Sequence, residues 1–404
     1  MDESILEEIF ENYRNIYKDI SVVQTGSCPE SLGEAILQDG ILEAYSKYLD
    51  EVVNGHKTSN LLIHGKYGLG KTMVTHMLLS KYKKETTDTG TKFEYIFVSC
   101  DSNNDIENLK EIIRHLEHKL GIEKPFRQSK DISKNINRIA ELVHKISSQV
   151  VIVLDAIEIR KSMSLIKMLS NINDIEPDAE SISLICIASE PKVKDEAQLN
   201  NLFNREIEFT PYTSPQIAAI LTKIVDKAYI DGFVDETVIP ACVTHSIQEL
   251  DSDMRRTISL LEKACTEANN KNAEKATDMH VRKVIDAENN RTREMIQSLS
   301  IHEKMILLAM IKRKNKSQKY VSALSLFPTY KQLATFLNED NLNYTSVENI
   351  FSTLVGIGIL AKRRKKIDRN KFILTYAPKM PASELTDIIY QDSSMASLKD
   401  FKVE

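Results

Sequence analysis

Three observations predict an α/β chain built as a five-stranded parallel P-loop domain with a helical lid and a C-terminal winged-helix domain. Short apolar runs alternate with helical periodicities through the first half, the sequence form of a parallel sheet covered on both faces. The stretch Gly65-Lys66-Tyr67-Gly68-Leu69-Gly70-Lys71-Thr72 fills every fixed position of the pattern G-x-x-x-x-G-K-[ST]. The last hundred residues read as three helices followed by a basic hairpin.

A chain of 404 residues exceeds what a single core usually holds. The pattern divides it into a leader (1–40), a P-loop nucleotide-binding domain (41–211), a helical lid (212–293), a winged helix (296–385) and a C-terminal tail (386–404). Hydrophobic content of 42% and charged content of 27% are those of a globular protein in water. No apolar run reaches the roughly 18 residues a membrane span needs. The acidic start Met1-Asp2-Glu3-Ser4 is unlike a signal peptide, so a cytoplasmic, nucleoid-associated protein without a membrane partner is expected. Cys28, Cys100, Cys186, Cys242 and Cys265 form no C-x-x-C pair, which argues against zinc and against a disulfide frame. With a net charge of −5, any nucleic-acid contact must come from a local basic patch.

The leader repeats Ile5, Ile9, Phe10 and Tyr13 at helical spacing, and no role for it is legible. Ile41 to Val53 carries an apolar helical face and delivers the chain to the strand Asn60–His64. In the loop that follows, Gly65, Gly68 and Gly70, with Leu69 between them, let backbone N–H groups converge on a phosphate. Lys71 reaches the β/γ oxygens and the Thr72 hydroxyl holds Mg²⁺, while the helix from Met73 to Leu79 turns its N-terminus to the anion. A Gly-rich turn without a ligand is the competing reading, and the strand and helix on either side favour the nucleotide.

The remaining strands are 93–98, 150–154, 183–188 and 206–209. Between the second and third lie an amphipathic helix, 106–120, and a segment with Lys124, Arg127, Lys130, Lys134 and Arg138 that reads as a solvated helical face. The third strand ends in Asp155, at the carboxyl edge where ligands of open α/β sheets collect, and Asp155 is the candidate second Mg²⁺ residue. ATPases of this design usually place Glu directly after that Asp to orient water, whereas here Ala156 stands there. Glu158 is the nearest substitute, a weak catalytic candidate beside Asp155, so binding is the safer expectation than turnover.

From Thr213 to about Glu288 only helical periodicities occur. Asp253 is a candidate N-cap for a helix with the apolar face Ile258, Leu260, Leu261 and Cys265. Arg255 and Arg256 in its first turn, where the helix dipole disfavours cations, leave two readings open: a surface ion pair, or contact with an anion. Helices at 301–311, 330–337 and 345–355 and strands at 359–361 and 372–376 then complete a winged helix. Its hairpin tip carries Lys362, Arg363, Arg364, Lys365, Lys366, Arg369 and Lys371 against Asp368, a patch suited to DNA phosphates. A merely solvated turn is the alternative.

Phosphate loop, strand-Asp, lid arginines and winged helix, in that order from about Asn60 to Tyr376, resemble the archaeal origin-recognition-type replication initiators of the AAA+ ATPase class. Leu154-Asp155-Ala156-Ile157-Glu158 looks like that family's L-D-E-I-D, Phe209-Thr210-Pro211-Tyr212 its F-P-P-Y, and Ser252-Asp253-Met254-Arg255-Arg256 its G-D-x-R-R lid sensor. The resemblance implies that Tyr212 lines the adenine pocket and that Arg255 touches the γ-phosphate. It also implies ATP (or ADP) with Mg²⁺ as cofactors, origin-like double-stranded DNA and replication proteins as partners, and a part in DNA replication or its regulation.

The departures point to a divergent member. Ala156 replaces the water-positioning Glu, Ser189 stands at the sensor Asn, Ile224 lies where a second nucleotide-contacting Arg is expected, and Asp195 to Leu199 lacks the Pro-Arg of an arginine finger. The expectation is an ATP-operated conformational switch that is at most a weak ATPase. The third winged-helix helix, with Tyr344, Thr345, Ser346, Glu348 and Asn349, lacks the Arg or Lys that reads guanine. Two rivals remain at this point: a signalling switch ATPase whose winged helix does not bind DNA, and an active motor or loader. Target sequence, oligomeric state and the sign of any regulation are not written in the sequence.

Overall fold

The computed structural model describes residues 15–24, 40–53, 60–88, 93–100, 104–123, 129–146, 148–159, 161–172, 182–189, 202–203, 205–313, 320–368 and 371–401, with the side chains of 364–368 and 371–372 excepted. The chain forms two compact units, 1–282 and 283–404.

In the first unit, helix α1 (Ile41–Val53) precedes strand β1 (Leu61–His64), α2 (Lys71–Asp88), β2 (Phe93–Ser99), α3 (Asp105–Lys119), α4 (Ile132–Ile146), β3 (Gln149–Asp155), α5 (Met163–Ser170), β4 (Ile182–Ala188) and β5 (Arg205–Glu208). The five strands are parallel in the order β2-β3-β4-β1-β5. Their apolar runs are continuous because both faces are covered: Val150 to Leu154 and Ile182 to Ala188 are buried throughout. The expected segment at 130–138 enters α4, where Arg138 turns inward to Glu117, itself 3% exposed, at 2.8 Å. That cation ties α4 to α3, so the solvated-face reading fails for it.

Four lid helices follow: α6 (Ser214–Ala228), α7 (Val238–Glu249), α8 (Met254–Asn270) and α9 (Asp278–Gln297), the last running from one unit into the next. Residues 15–24, for which the sequence suggested no role, are a strap on this lid. Lys18 N–H donates to Ala228 O at 2.8 Å, Ile230 N–H to Ile16 O at 3.0 Å, and the Tyr17 and Tyr229 rings lie 5.2 Å apart. Ile16 and Val23 of the strap are buried. The helical periodicity at Ile5 to Tyr13 falls outside the described residues.

The second unit holds α10 (Ile301–Lys312), α11 (Ala323–Phe336), α12 (Tyr344–Gly356), β6 (Leu360–Asp368), β7 (Lys371–Pro378), α13 (Ala382–Tyr390) and α14 (Ser393–Ala396). Two expectations need correcting here. Helix α11 begins seven residues before Tyr330, with Pro328 inside it, because Ser322 caps its first turn and Ala323 and Leu326 are buried. The stretch beyond 385 is no loose tail: Leu385, Ile388, Ile389, Met395 and Leu398 complete the apolar core, and Asp392 pairs with the buried Lys304 at 2.6 Å. That pairing holds the Asp392 carboxyl down at about 2.

Candidate nucleotide site and basic wing

The sheet order sets the carboxyl ends of β1 and β3 on either side of β4, with His64 opposite Ala188 and Leu154 opposite Cys186. Gly65 leaves β1 with φ +141°, and any side chain there would overlap the Phe209 carbonyl. Helix α2 starts from Gly70, whose carbonyl accepts from Val74 N–H at 2.8 Å. Leu69 is fully buried and anchors the loop.

The two sequence motifs meet in one contact. The Thr72 hydroxyl lies 2.9 and 3.1 Å from the two Asp155 carboxylate oxygens, and Asp155 Oδ1 also accepts from Ala156 N–H at 2.9 Å. A hydroxyl and a carboxylate side by side are hard oxygen donors of the kind Mg²⁺ takes, so this pair fits the ion. The Lys71 ammonium donates to Gly65 O and Lys66 O, each at 2.6 Å. Burial lowers the Lys71 pKa to about 8; Asp155 opposes that shift and Arg255 adds to it. Ala156, directly after Asp155, has φ +56°.

The lid closes on the loop. Gly68 O accepts from Met254 N–H at 3.1 Å, and a Cβ on Gly68 would stand 2.8 Å from Asp253 Cα. Asp253 caps α8 as expected, accepting from the Arg255 and Arg256 amides. Arg255 reaches Asp253 Oδ2 at 3.4 Å, and its guanidinium is 6.0 Å from the Tyr67 ring. Tyr212 is buried, and its hydroxyl donates to Leu69 O at 3.1 Å, a brace for the loop from below. One contact that the sequence did not suggest is the ion pair of Lys66 with Asp251 at 2.7 Å. Opposite charges 185 positions apart give no local signal, so it could not be read from the sequence.

Glu158 does not join this set. It is exposed, and its carboxylate pairs with Lys161 at 2.6 Å in the turn that leads to α5. Asp195 to Leu199 lies outside the described residues.

In the second unit the cations sit differently from the expected hairpin tip. Lys362, Arg363, Arg364, Lys365 and Lys366 are in β6 itself, opposite Tyr376, Thr375, Leu374, Ile373 and Phe372, and Lys371 opens β7. A two-stranded ribbon leaves its outer edge free, a place where charged residues are favoured. Lys362 and Arg363 are exposed, and the Arg363 guanidinium stacks 4.4 Å from the Tyr320 ring. Arg369 lies outside the described residues. Helix α12 runs from Tyr344 to Gly356 without a cation, and Tyr344 spends its hydroxyl on Glu348 at 2.9 Å.

Among the described residues no helix is long and apolar enough to cross a membrane, and no cluster of three His, Cys, Asp or Glu side chains could hold a metal. Cys100, Cys186, Cys242 and Cys265 are free, buried thiols.

Three family models match in the order of the fold: an AAA domain over residues 54–192, a Cdc6 AAA+ ATPase-type lid domain over 218–286, and a CDC6 C-terminal winged helix domain over 294–380. The ORC1-type DNA replication protein of Thermococcus kodakarensis is 28% identical over 371 residues, covering 89% of this chain and 88% of its own length. ORC1-type DNA replication protein 1 of Methanosarcina mazei is 25% identical over 401 residues, with 96% and 94% covered. The fold matches the Aeropyrum pernix ORC1 protein solved in complex with DNA (TM-score 0.63, 22% identity, 96% of this chain and 100% of that one). It also matches the Aeropyrum pernix ORC2 protein solved as ADPNP-ADP complexes (TM-score 0.56, 18% identity, 95% and 100%). An AAA domain, a Cdc6 AAA+ ATPase-type lid and a CDC6 C-terminal winged helix thus follow one another along the chain, which is similar over nearly its whole length to the ORC1-type DNA replication proteins.

Proposed function

We propose that this protein holds ATP or ADP with Mg²⁺ in the Gly65–Thr72 loop as a conformational switch, grips double-stranded DNA through β6 and β7, and turns ATP over slowly or not at all. The observation that carries the reading is the Thr72–Asp155 contact, which joins two motifs 83 residues apart at the mouth of the phosphate loop. Lys71 trades two loop carbonyls for phosphate oxygens, Tyr212 holds the loop backbone at Leu69 and borders the base, and Arg255 senses the terminal phosphate from the lid. Thr72 and Asp155 would hold Mg²⁺, which would supply neutralisation of phosphate charge when bound.

Slow turnover follows from how the carboxylates at the loop are already used. Asp155 is engaged by Thr72 and the Ala156 amide, Asp253 by the first turn of α8, Asp251 by Lys66 and Glu158 by Lys161. Each of these four carboxylates would have to give up a partner to orient an attacking water. Single-turnover assays should give rates far below the roughly 1 per second of an ordinary ATPase, and a rate of that order would refute this part.

DNA binding is supported by the run of cations along β6, and the Aeropyrum pernix ORC1 protein, of the same fold, was solved with DNA. Without a cation on α12, backbone contacts should dominate over base readout. Filter binding of genomic fragments with ATP and with ADP tests the DNA contact, its specificity and its coupling to nucleotide together. Failure to retain any fragment would favour the signalling-switch alternative.

A further inference from the structure

Among the described residues, five non-glycine positions adopt left-handed backbone conformations; two asparagines and Asp251 are of types that tolerate them, Ala156 and Ser252 are not, and Ala156, Asp251 and Ser252 all border the phosphate loop. Asp251 (φ +54°) and Ser252 (φ +60°) are consecutive, and they form the turn that presents Met254 to Gly68 and carries Arg255. Such a conformation persists only where surrounding contacts hold it. Here the holding contacts are visible. Lys66 pairs with Asp251 at 2.7 Å, the Ser252 hydroxyl donates to Tyr212 O at 3.2 Å, and Ser252 N–H donates to Ser246 O at 3.0 Å.

We propose that Lys66, at a variable position of the phosphate loop, is a positioning residue: through Asp251 it holds a strained lid turn down on the loop and so aims Arg255 at the nucleotide, while the left-handed Ser252 biases that turn to release. The consequence for nucleotide rests on reading Gly65–Thr72 as a nucleotide site; the docking of the lid does not. Because the loop supplies both the phosphate cradle and Lys66, a shift of its backbone on binding or release of phosphate is passed to Asp251 without an intermediate element. The pair is exposed, 56% and 77% at the two side chains, so its own effect is modest.

The test uses the full-length protein without nucleotide and follows hydrogen exchange of the peptide containing Met254, whose amide bonds Gly68. Lys66→Ala should speed its exchange about two- to fivefold. The exchanged pair Lys66→Asp with Asp251→Lys should restore protection. Ser252→Gly, compared with Ser252→Ala so that loss of the hydroxyl bond to Tyr212 O is common to both, removes the backbone strain and should slow exchange about three- to tenfold relative to Ser252→Ala and lessen the Lys66→Ala defect. With an ATP analogue the same variants should move the dissociation rate in the same directions. Unchanged exchange in Lys66→Ala, no rescue by the charge swap, or exchange in Ser252→Gly no slower than in Ser252→Ala would each overturn the proposal. If Lys71→Ala leaves nucleotide affinity intact, the nucleotide-site reading fails instead, and the exchange measurements still decide the clasp.

Discussion

The phosphate-loop end of the first unit and the wing of the second are both equipped for anions, and they are built by opposite means. At the loop, few charges are present and each is engaged: Lys71 by two carbonyls, Lys66 by Asp251, Asp155 by a hydroxyl and an amide, and Asp253 by the amides of α8. The parts come from distant places in the chain, and two of the joints are strained turns. In the wing, five consecutive cations lie along one strand. On the proposed function, the first arrangement would recognise one ligand by geometry and respond by moving. The second, if it meets DNA as proposed, would add up charge, tolerate shifts of register and answer chiefly to salt.

The largest expected effect tests the additive character of the wing. Replacing Lys362, Arg363, Arg364, Lys365 and Lys366 together by alanine should weaken duplex DNA binding by about a thousandfold at low salt and flatten the slope of log K against log salt by about four to five, near 0.9 for each phosphate that is no longer neutralised. Nucleotide binding should be unchanged. Equilibrium titration across a salt series checks both, and an unaltered slope would show that the strand does not meet phosphates.

The counterpart at the loop is a single residue. Lys71→Ala should cost about a hundredfold in ATP affinity by calorimetry, the scale of removing charge-assisted bonds at a buried site, while DNA retention in the absence of nucleotide should survive. If both functions fell together, the two regions would not be separable in the way their construction suggests.

This contrast also explains what could be read in advance. The loop motif, all five strands and Asp155 were legible because each is local: a spacing, an apolar run, or a charged residue closing a buried strand. The wing was legible because charge is composition, although its cations occupy a strand where a tip was expected. Lys66–Asp251, Met254–Gly68 and the strap at Ile16 to Val23 were not legible, since each joins segments far apart in the chain and uses residue types common on any surface. The fold of residues 386–401 was missed for a related reason: Leu385, Ile388, Ile389 and Leu398 gain a core only when α10 is beside them.

A third test leaves the nucleotide site alone and asks whether the wing's unit has its own internal tie. Lys304 is 5% exposed and relies on Asp392. Asp392→Asn strips the charge from the partner of a buried ammonium and should destabilise that unit by about 2 kcal/mol in urea unfolding followed by a probe in 283–404, with ATP affinity unaffected. The sign with pH follows from the lowered carboxyl. Its contribution is complete above the unfolded value near 4 and is lost as pH falls through about 2.

A smaller effect sharpens the loop side. Lys71, at about 8, is partly uncharged at mildly alkaline pH, and phosphate requires the charged form. Binding above pH 8 must therefore take up a proton, and ATP affinity should fall by about tenfold from pH 7 to pH 9. In the folded protein without ligand the sign runs the other way: the unfolded chain holds its Lys71 proton up to about 10.5, so stability rises with pH between about 8 and 10.5. Calorimetry in two buffers of different ionisation enthalpy detects the proton, and Lys71→Arg, which stays charged, should abolish the pH dependence.

The smallest expected effect is informative because it is small. Glu158 is the carboxylate near the end of β3 that could replace the residue missing at Ala156, yet its side chain is exposed and bound to Lys161 across a single turn. To reach a water at a terminal phosphate it would have to break that pair and reorient the turn entering α5, where Lys161 N–H and Ser162 N–H both donate to the Glu158 carbonyl. Glu158→Gln should therefore change single-turnover hydrolysis by less than about twofold, against the hundredfold or more typical of removing a working general base. A drop of that larger size would mean that the turn rearranges when nucleotide binds and that Glu158 has taken over the missing role, making the loop a catalytic site and its slow turnover a matter of conformation. A flat response would leave the loop as a holder of nucleotide, with binding and lid position as the only signals it has to give.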